Sequence, residues 1–292
     1  MIEAYLIHLL ILICIYIVLA VSLDLAVGFT GMLNMGHVAF FGIGAYASAL
    51  LTMAGLPYWV GLLAGAILAA IAGFVLSLPT SKLRGDYLAL ATLGFAFIVE
   101  SFMKNWTSLT RGPLGIPGIP RPSFFGIVVS TQAGYLIFSF VLMIISVLII
   151  SRIEGSPFGR LLEAVRDDET AAKTLGENVG KIKAIGLTVS AFFAGIAGSM
   201  YAHYISFIDP TTFSLLEVIL LFSIIIVGGL GSSKGAIIGT IIIIILPEPL
   251  RFIGFPSSII GPARQILYSL ILLLIIYFKP KGLFGRVELG EH

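Results

Sequence analysis

Few residues in this sequence could do chemistry, and their types and spacing restrict what that chemistry would be. His37 stands with Asn34 inside GFTGMLNMGHVAFFGIGAYAS, residues 28–48, a glycine-rich apolar stretch. One imidazole without further ligands nearby cannot be a metal site, so no metal or other cofactor is expected. Polar groups at lipid depth usually face a bundle interior or a cavity, which makes Asn34, His37, Gly42 and Gly44 candidates for a solute path. The competing reading is helix packing through small residues, with Gly42 and Tyr46 or Gly44 and Ser48 at four-residue spacing. Asp24, Glu100, Glu217 and Glu248 fall near segment ends, where water can solvate them. GGLGSSKG, residues 228–235, invites a nucleotide-binding reading and fails it. A phosphate-binding loop needs G-x-x-x-x-G-K-[ST] after a strand, whereas Lys234 lies between Ser233 and Gly235 among apolar segments. That stretch reads as a turn. The single Cys14 sits in an apolar run and offers neither a disulfide nor a thiolate site. No catalytic triad, carboxylate pair or metal constellation appears, so the chain is expected to have no enzymatic chemistry of its own.

The elements that must hold these residues follow from composition. Charged residues make up 11% of the 292 and hydrophobic ones 58%, with a mean hydropathy of +1.09. A soluble domain carries roughly 25% charge; lipid is the solvent that suits this chain. A net charge of +2 without a basic run argues against nucleic acid. Charge-free intervals cover 4–23, 25–81, 87–99, 122–151, 184–208, 218–233, 235–247 and 265–278. A helix crosses a bilayer in about 20 mainly apolar residues. The 57-residue interval therefore holds two, near 32–53 and 58–79, broken between Gly55 and Pro57. Alternating ten-residue strands are absent, which excludes a barrel. The expectation is an all-α polytopic transmembrane bundle of about eight or nine segments, one domain over residues 1–292. Segments near 217–231 and 234–250 are short and could form a re-entrant pair. The opening MIEAYLIHLL lacks a basic flank and reads as a retained segment.

Lys and Arg concentrate at Lys82 and Arg84, across 152–183, and at Lys279, Lys281 and Arg286. Even numbers of segments separate these regions, so all three can lie on the cytoplasmic side. The loop at about 104–132 is then external despite Lys104, Arg111 and Arg121.

The loop at about 152–183 holds 12 of the 32 charged residues. Ser156 before Pro157 is an N-cap and N1 pair. Leu161, Val165, Ala172 and Leu175 recur at helical spacing opposite Arg160, Arg166, Asp167 and Lys173, and Gly176 supplies a stop. A second helix begins near Asn178. The first is an amphipathic helix outside the membrane. A helix lying on headgroups is enriched in Lys and Arg, whereas this face carries as many acids as bases. Ala171, Ala172 and Gly176 would let another protein's backbone approach closely, which suits a partner's groove.

Glu169 to Gly176, ETAAKTLG, resembles the Glu-Ala-Ala…Gly signature of ATP-binding-cassette importer permeases, with Thr170 as one inserted residue. The blocks SLDLAVGFTGMLNMGHVAFFGIGAY, DYLALATLGFAFI, GPLGIPGIP and VGGLGSSKGAIIGT resemble the branched-chain amino acid subgroup, and the first resembles its M-type permease. The resemblance covers almost the whole chain. It implies a coupling role toward a cytoplasmic ATPase for Arg166, Glu169, Ala171, Ala172 and Gly176. It also implies a homologous second permease, two ATPase subunits, an extracytoplasmic binding protein and an amino-acid substrate as partners, in the cytoplasmic (inner) membrane. A permease for sugars or polar amides, or an ion-coupled carrier using Asp24, His37 or Glu100, are the alternatives.

Overall fold

The computed structural model describes residues 2–83, 85–124, 127–129, 131–249, 257–279 and 281–286. Arg84, counted above among the basic residues, lies outside them. The chain is an all-α bundle. Helix α1 (Ile2–Asp24) continues into a π-helical turn (Leu25–Phe29), and residues 30–36 leave the helix before α2 (His37–Met53). Then come α3 (Tyr58–Thr80), α4 (Gly85–Asn105), the short α5 (Thr107–Thr110) and α6 (Gln132–Glu154). Two short helices, α7 (Pro157–Asp167) and α8 (Glu169–Thr174), precede α9 (Val179–Ile205). The chain closes with α10 (Leu215–Gly228), α11 (Ser233–Ile245) and α12 (Ser257–Phe278).

Six helical segments among the described residues are long and apolar enough to cross a bilayer: Glu3–Phe29, Tyr58–Thr80, Gly85–Asn105, Gln132–Glu154, Val179–Ile205 and Gly261–Phe278. Helices α2, α10 and α11 are apolar but shorter. At 1.5 Å per residue, a 14-residue helix such as α10 spans only about 21 Å. The sequence placed the start of the second span at 32; the helix begins at His37, because Gly31 has φ +70° and residues 30–36 run irregularly. The turn expected at GGLGSSKG joins α10 to α11.

The centre of the bundle is α2, α3 and α9, and small residues set its spacing. A Cβ on Gly44 would stand 2.3 Å from the Gly195 carbonyl oxygen, and one on Gly198 would stand 2.0 Å from the Phe41 carbonyl oxygen. Backbones meet there, so van der Waals packing replaces the hydrophobic driving force that lipid removes. Polar side chains join the same helices. The Nδ1 of His203 lies 2.6 Å from the Pro120 carbonyl oxygen, which can only accept, so Nδ1 carries the proton. Nε2 is then an acceptor for the Ser48 hydroxyl at 2.9 Å, and Ser48 Oγ takes the Ser199 hydroxyl at 2.7 Å. Pro120 belongs to the 104–132 loop, which is pinned again where Ile116 and Pro117 pair antiparallel with Ile208 and Phe207 after α9.

The three basic regions converge on one end of the bundle. Ser81 borders Gly180 at the start of α9, Ser233 donates a 2.6 Å hydrogen bond to Glu154, and Arg286 lies 3.8 Å from Glu163 of α7.

Gly44 separates packing from path. A leucine there meets the Gly195 backbone, which cannot yield, and overpacking of a tight core costs about 1–3 kcal/mol or more. At Gly42 the nearest atoms are the Met103 methyl and the Phe213 ring, both at 3.0 Å and both on side chains that can shift. Gly44→Leu is expected to lower the thermal unfolding temperature in detergent far more than Gly42→Ala. Equal midpoints would contradict the packing assignment.

Candidate functional site: the charged island and the helix break behind it

Ser156 caps α7 by accepting the Gly159 N–H at 3.2 Å, with Pro157 at the first helical position as expected. Gly159 is forced: a Cβ there would stand 2.0 Å from the Glu154 carbonyl oxygen at the corner from α6. The sequence suggested one helix to Gly176, but the chain breaks at Asp168. Its backbone is extended (φ −156°, ψ 101°), and its carboxylate accepts the N–H groups of Thr170 at 2.7 Å and Ala171 at 3.0 Å, starting α8 afresh. Gly176 ends α8 with φ +89°, the left-handed conformation a helix stop requires. Asn178 then caps α9 by accepting from the Lys181 N–H at 3.0 Å.

The break at Asp168 changes which residues face inward. Leu162, Val165 and Ala172 are buried with Leu25, Phe29, Val179 and Ile182 in a cluster of their own. Ala172, placed both in the apolar stripe and among the small residues open to a partner, is a core contact, as the stripe required. Leu175, expected in the buried stripe, is 84% exposed. Ala171, Lys173, Thr174 and Gly176 are exposed with it, and nothing lies within 4 Å of where a Cβ on Gly176 would be.

Two of the charges hold the island from within. Glu169, given a coupling role by the resemblance, pairs with Lys183 in the first turns of α9, and Lys183 is only 3% exposed. Arg166 also turns inward. Its Nη1 donates to the Gly28 carbonyl oxygen at 2.8 Å, while its other nitrogens hold Asp167.

Gly28 lies in the π-helical turn, and residue 31 packs under Arg166. The irregular segment that starts there runs to the other expected cluster. Asn34 Oδ1 accepts the Gly36 N–H at 3.1 Å, and Thr92 Oγ1 of α4 accepts the Met35 N–H at 3.0 Å. Ser22 Oγ donates its proton to the Leu19 carbonyl at 2.8 Å, so toward His37, 2.9 Å away, it can only accept. The imidazole proton is therefore on Nε2. The His37 Nδ1 and Asn34 Nδ2 atoms are buried without a hydrogen-bond partner. Gly42 and Gly44 lie further along α2 against Phe213 and Gly195, away from this break.

The carboxylates read as water-solvated segment ends divide in two. Glu100 pairs with Lys104 one turn on, at 2.6 Å, with Lys104 half exposed. Asp24 and Glu217 are corrections. Asp24 is fully buried and accepts the N–H groups of Gly231 and Ser232, each at 2.9 Å. Glu217 accepts the Tyr16 hydroxyl proton and lines a cavity of about 410 Å³ between α1, α10, α11 and α12. Among the described residues no group of three or more His, Cys, Asp or Glu side chains could hold a metal ion.

Sequence reasoning missed Asp168, Lys183 and the inward role of Arg166. An Asp ahead of Glu169, Thr170 and Ala171 is an N-cap signal inside an apparently continuous helix, and it was legible. The Lys183 partnership was not, because the fold alone brings residue 169 to residue 183.

Breaking a buried ion pair by removing one partner costs about 3–5 kcal/mol, while replacing both by apolar residues is often near neutral. Lys183→Met is expected to destabilise the chain strongly, and Lys183→Met with Glu169→Met to restore most of the loss, as read by unfolding midpoints in detergent. A double variant as unstable as the single one would contradict the pairing.

The chain matches the family described as branched-chain amino acid transport system / permease component over residues 5–278. It is 36% identical to the high-affinity branched-chain amino acid transport system permease protein LivM of Escherichia coli K12, over 92% of this chain and 67% of that protein. A probable branched-chain amino acid transport permease protein LivM of Methanocaldococcus jannaschii is 27% identical, over 92% of this chain and 90% of its own. The LivH permease protein of Salmonella typhimurium is 25% identical, over 94% and 93%. The chain belongs to the permease-component family of branched-chain amino acid transport systems, on the side of its M-type members.

Proposed function

We propose that this chain is the M-type half of the translocation unit of an ATP-driven importer for branched-chain or similar hydrophobic amino acids. A homologous second permease completes the path, two cytoplasmic ATPase subunits hydrolyse ATP, and an extracytoplasmic protein delivers the solute. The observation that carries this reading is the island. It is fixed to the bundle by one face and leaves a tip of Ala171, Lys173, Thr174, Leu175 and Gly176 uncovered at the end where the basic regions gather. A large apolar side chain 84% exposed outside the lipid-facing helices is an anchor for a partner's pocket. Ala171 and Gly176 on either side of it let that partner approach.

The roles of the site residues then separate. Ala171 and Gly176 serve contact. Ala172, Glu169 and Arg166 serve coupling from the inside, by tying the docked helix to α9 and to the π-helical turn, so that displacement of the tip reaches the spans. Glu100 and Asp24 are engaged within the chain, which leaves less support for an ion-coupled carrier. Asn34 and His37, with buried unpartnered polar atoms in a helix break, are the best candidates on the solute side.

In vesicles holding the assembled complex, uptake of labelled leucine is expected to require ATP and binding protein together; uptake driven by an ion gradient without ATP would overturn the proposal. Leu175→Asp should leave the permease pair intact and reduce co-purified ATPase by about tenfold or more, a loss of at least about 1.4 kcal/mol. Undiminished ATPase recovery would remove the tip from the interface. Ala172→Trp is expected to fail differently, by destabilising the chain itself, because its site is internal.

A further inference from the structure

Asp24 is a fully buried carboxylate that the import scheme above does not use. Its two oxygens each accept one of two successive backbone N–H groups, Gly231 to Oδ1 and Ser232 to Oδ2, both at 2.9 Å. Those donors form the turn between α10 and α11, where a helix end and a helix start leave backbone groups without intrahelical partners. A single side chain from α1 thus closes the turn of a hairpin 207 residues away. Gly28 makes room for it: a Cβ there would stand 2.1 Å from Asp24 Oδ1 and 2.2 Å from the Gly231 nitrogen.

The same Gly28 has its carbonyl oxygen held by Arg166 of α7. The π-helical turn therefore has the island on one side and the hairpin turn on the other. A second route joins the same two parts. Residues 283, 284 and 286 donate their backbone N–H groups to the carbonyls of Val227, Gly228 and Leu230, at 3.0, 2.8 and 2.9 Å. This strap requires glycine on both sides, since a Cβ on Gly229 would stand 2.1 Å from the Gly285 nitrogen and one on Gly282 2.4 Å from the Ile226 carbonyl oxygen. Arg286 then reaches back to Glu163 of α7 at 3.8 Å. The contacts form a closed ring: α7, the π-helical turn, Asp24, the α10–α11 turn, the strap, and α7 again.

We infer that Asp24 is a positioning residue that latches the α10–α11 turn to the segment gripped by Arg166, so that island, π-helical turn, hairpin turn and strap move as one body. Displacement of the docked tip is delivered to α1 and to the α10–α11 hairpin together. The hairpin helices are short, and the hairpin carries Glu217 and Glu248 into the 410 Å³ cavity beside α1 and α12. Moving it as a unit changes that cavity without any new contact forming. The inference rests on the importer reading and adds which part of the permease the ATPase moves.

The test uses the assembled complex with Ala164→Cys on the exposed side of α7 and Lys234→Cys at the exposed Lys234 in the first turn of α11. Both are spin-labelled, and the buried Cys14 is replaced by alanine. With Asp24 in place, the label-to-label distance is expected to be the same in the nucleotide-free and ATP-bound states. With Asp24→Ala it is expected to differ between states, and solute imported per ATP hydrolysed should fall by about tenfold, the scale of ordinary intersite coupling. A merely structural carboxylate would lower the yield of complex and leave that ratio unchanged, which would overturn the inference. A distance that changes between states with Asp24 present would also overturn it, and this arm decides the matter if Asp24→Ala does not assemble. Import by the labelled Asp24 complex is measured on the same preparation. Its absence would overturn the importer reading and the latch with it, whereas normal import with a changing distance would overturn the latch alone.

Discussion

A buried backbone N–H or C=O left without a partner costs several kcal/mol, and among the described residues this chain interrupts its helices with buried backbone at residues 30–36 and at the α10–α11 turn. At residues 30–36 the lost bonds are replaced by Asn34 Oδ1 and by Thr92 of α4; at the α10–α11 turn they are replaced by Asp24. The island uses the same device in water, where Asp168 restarts a helix that would otherwise run straight. Each break is thus held by one or two polar side chains, in a chain with few to spare.

From this follows how a permease with so little polar surface transmits force. The helices pack through glycine and alanine at backbone contact in α2, α3 and α9, a region that cannot deform without losing its fit. What can move is what is attached outside that region. The island is tied by the pair Glu169–Lys183 and by Arg166, and the hairpin turn by Asp24 and the strap. The buried, paired and hydrogen-bonded charges are strong enough to act as links. The exposed Arg286–Glu163 contact at 3.8 Å is worth little by itself and serves to orient the strap.

Much of this architecture was legible in the sequence. Apolar length gives the spans, because a bilayer imposes about 20 residues on any crossing helix. Ser156–Pro157, Gly176 and Asn178 announce the ends of α7, α8 and α9 by their capping chemistry. The glycine-rich turn at 228–235 is where it was expected. What was not legible depends on partners distant in the chain. Asp24 and Glu217 look solvated from their place at segment ends, yet their partners lie 207 and 201 residues away. Of the apolar stripe, Ala172 is buried but Leu175 is not, because one extended residue, Asp168, restarts the helix that follows. The candidate solute residues divide the same way: Gly44 shows its packing role once Gly195 is opposite it, while His37 and Asn34 keep unsatisfied atoms that packing does not explain.

The central claim is that the island has an inner face committed to its own chain and an outer tip committed to another. Hydrogen exchange of the permease pair, with and without the ATPase subunits bound, measures both at once. The account expects new protection at residues 171–178 on ATPase binding and no change at 162–166, whose inner side is already covered by α9 and the π-helical turn. Protection that appears elsewhere in the chain while 171–178 exchange at their free rate would contradict it.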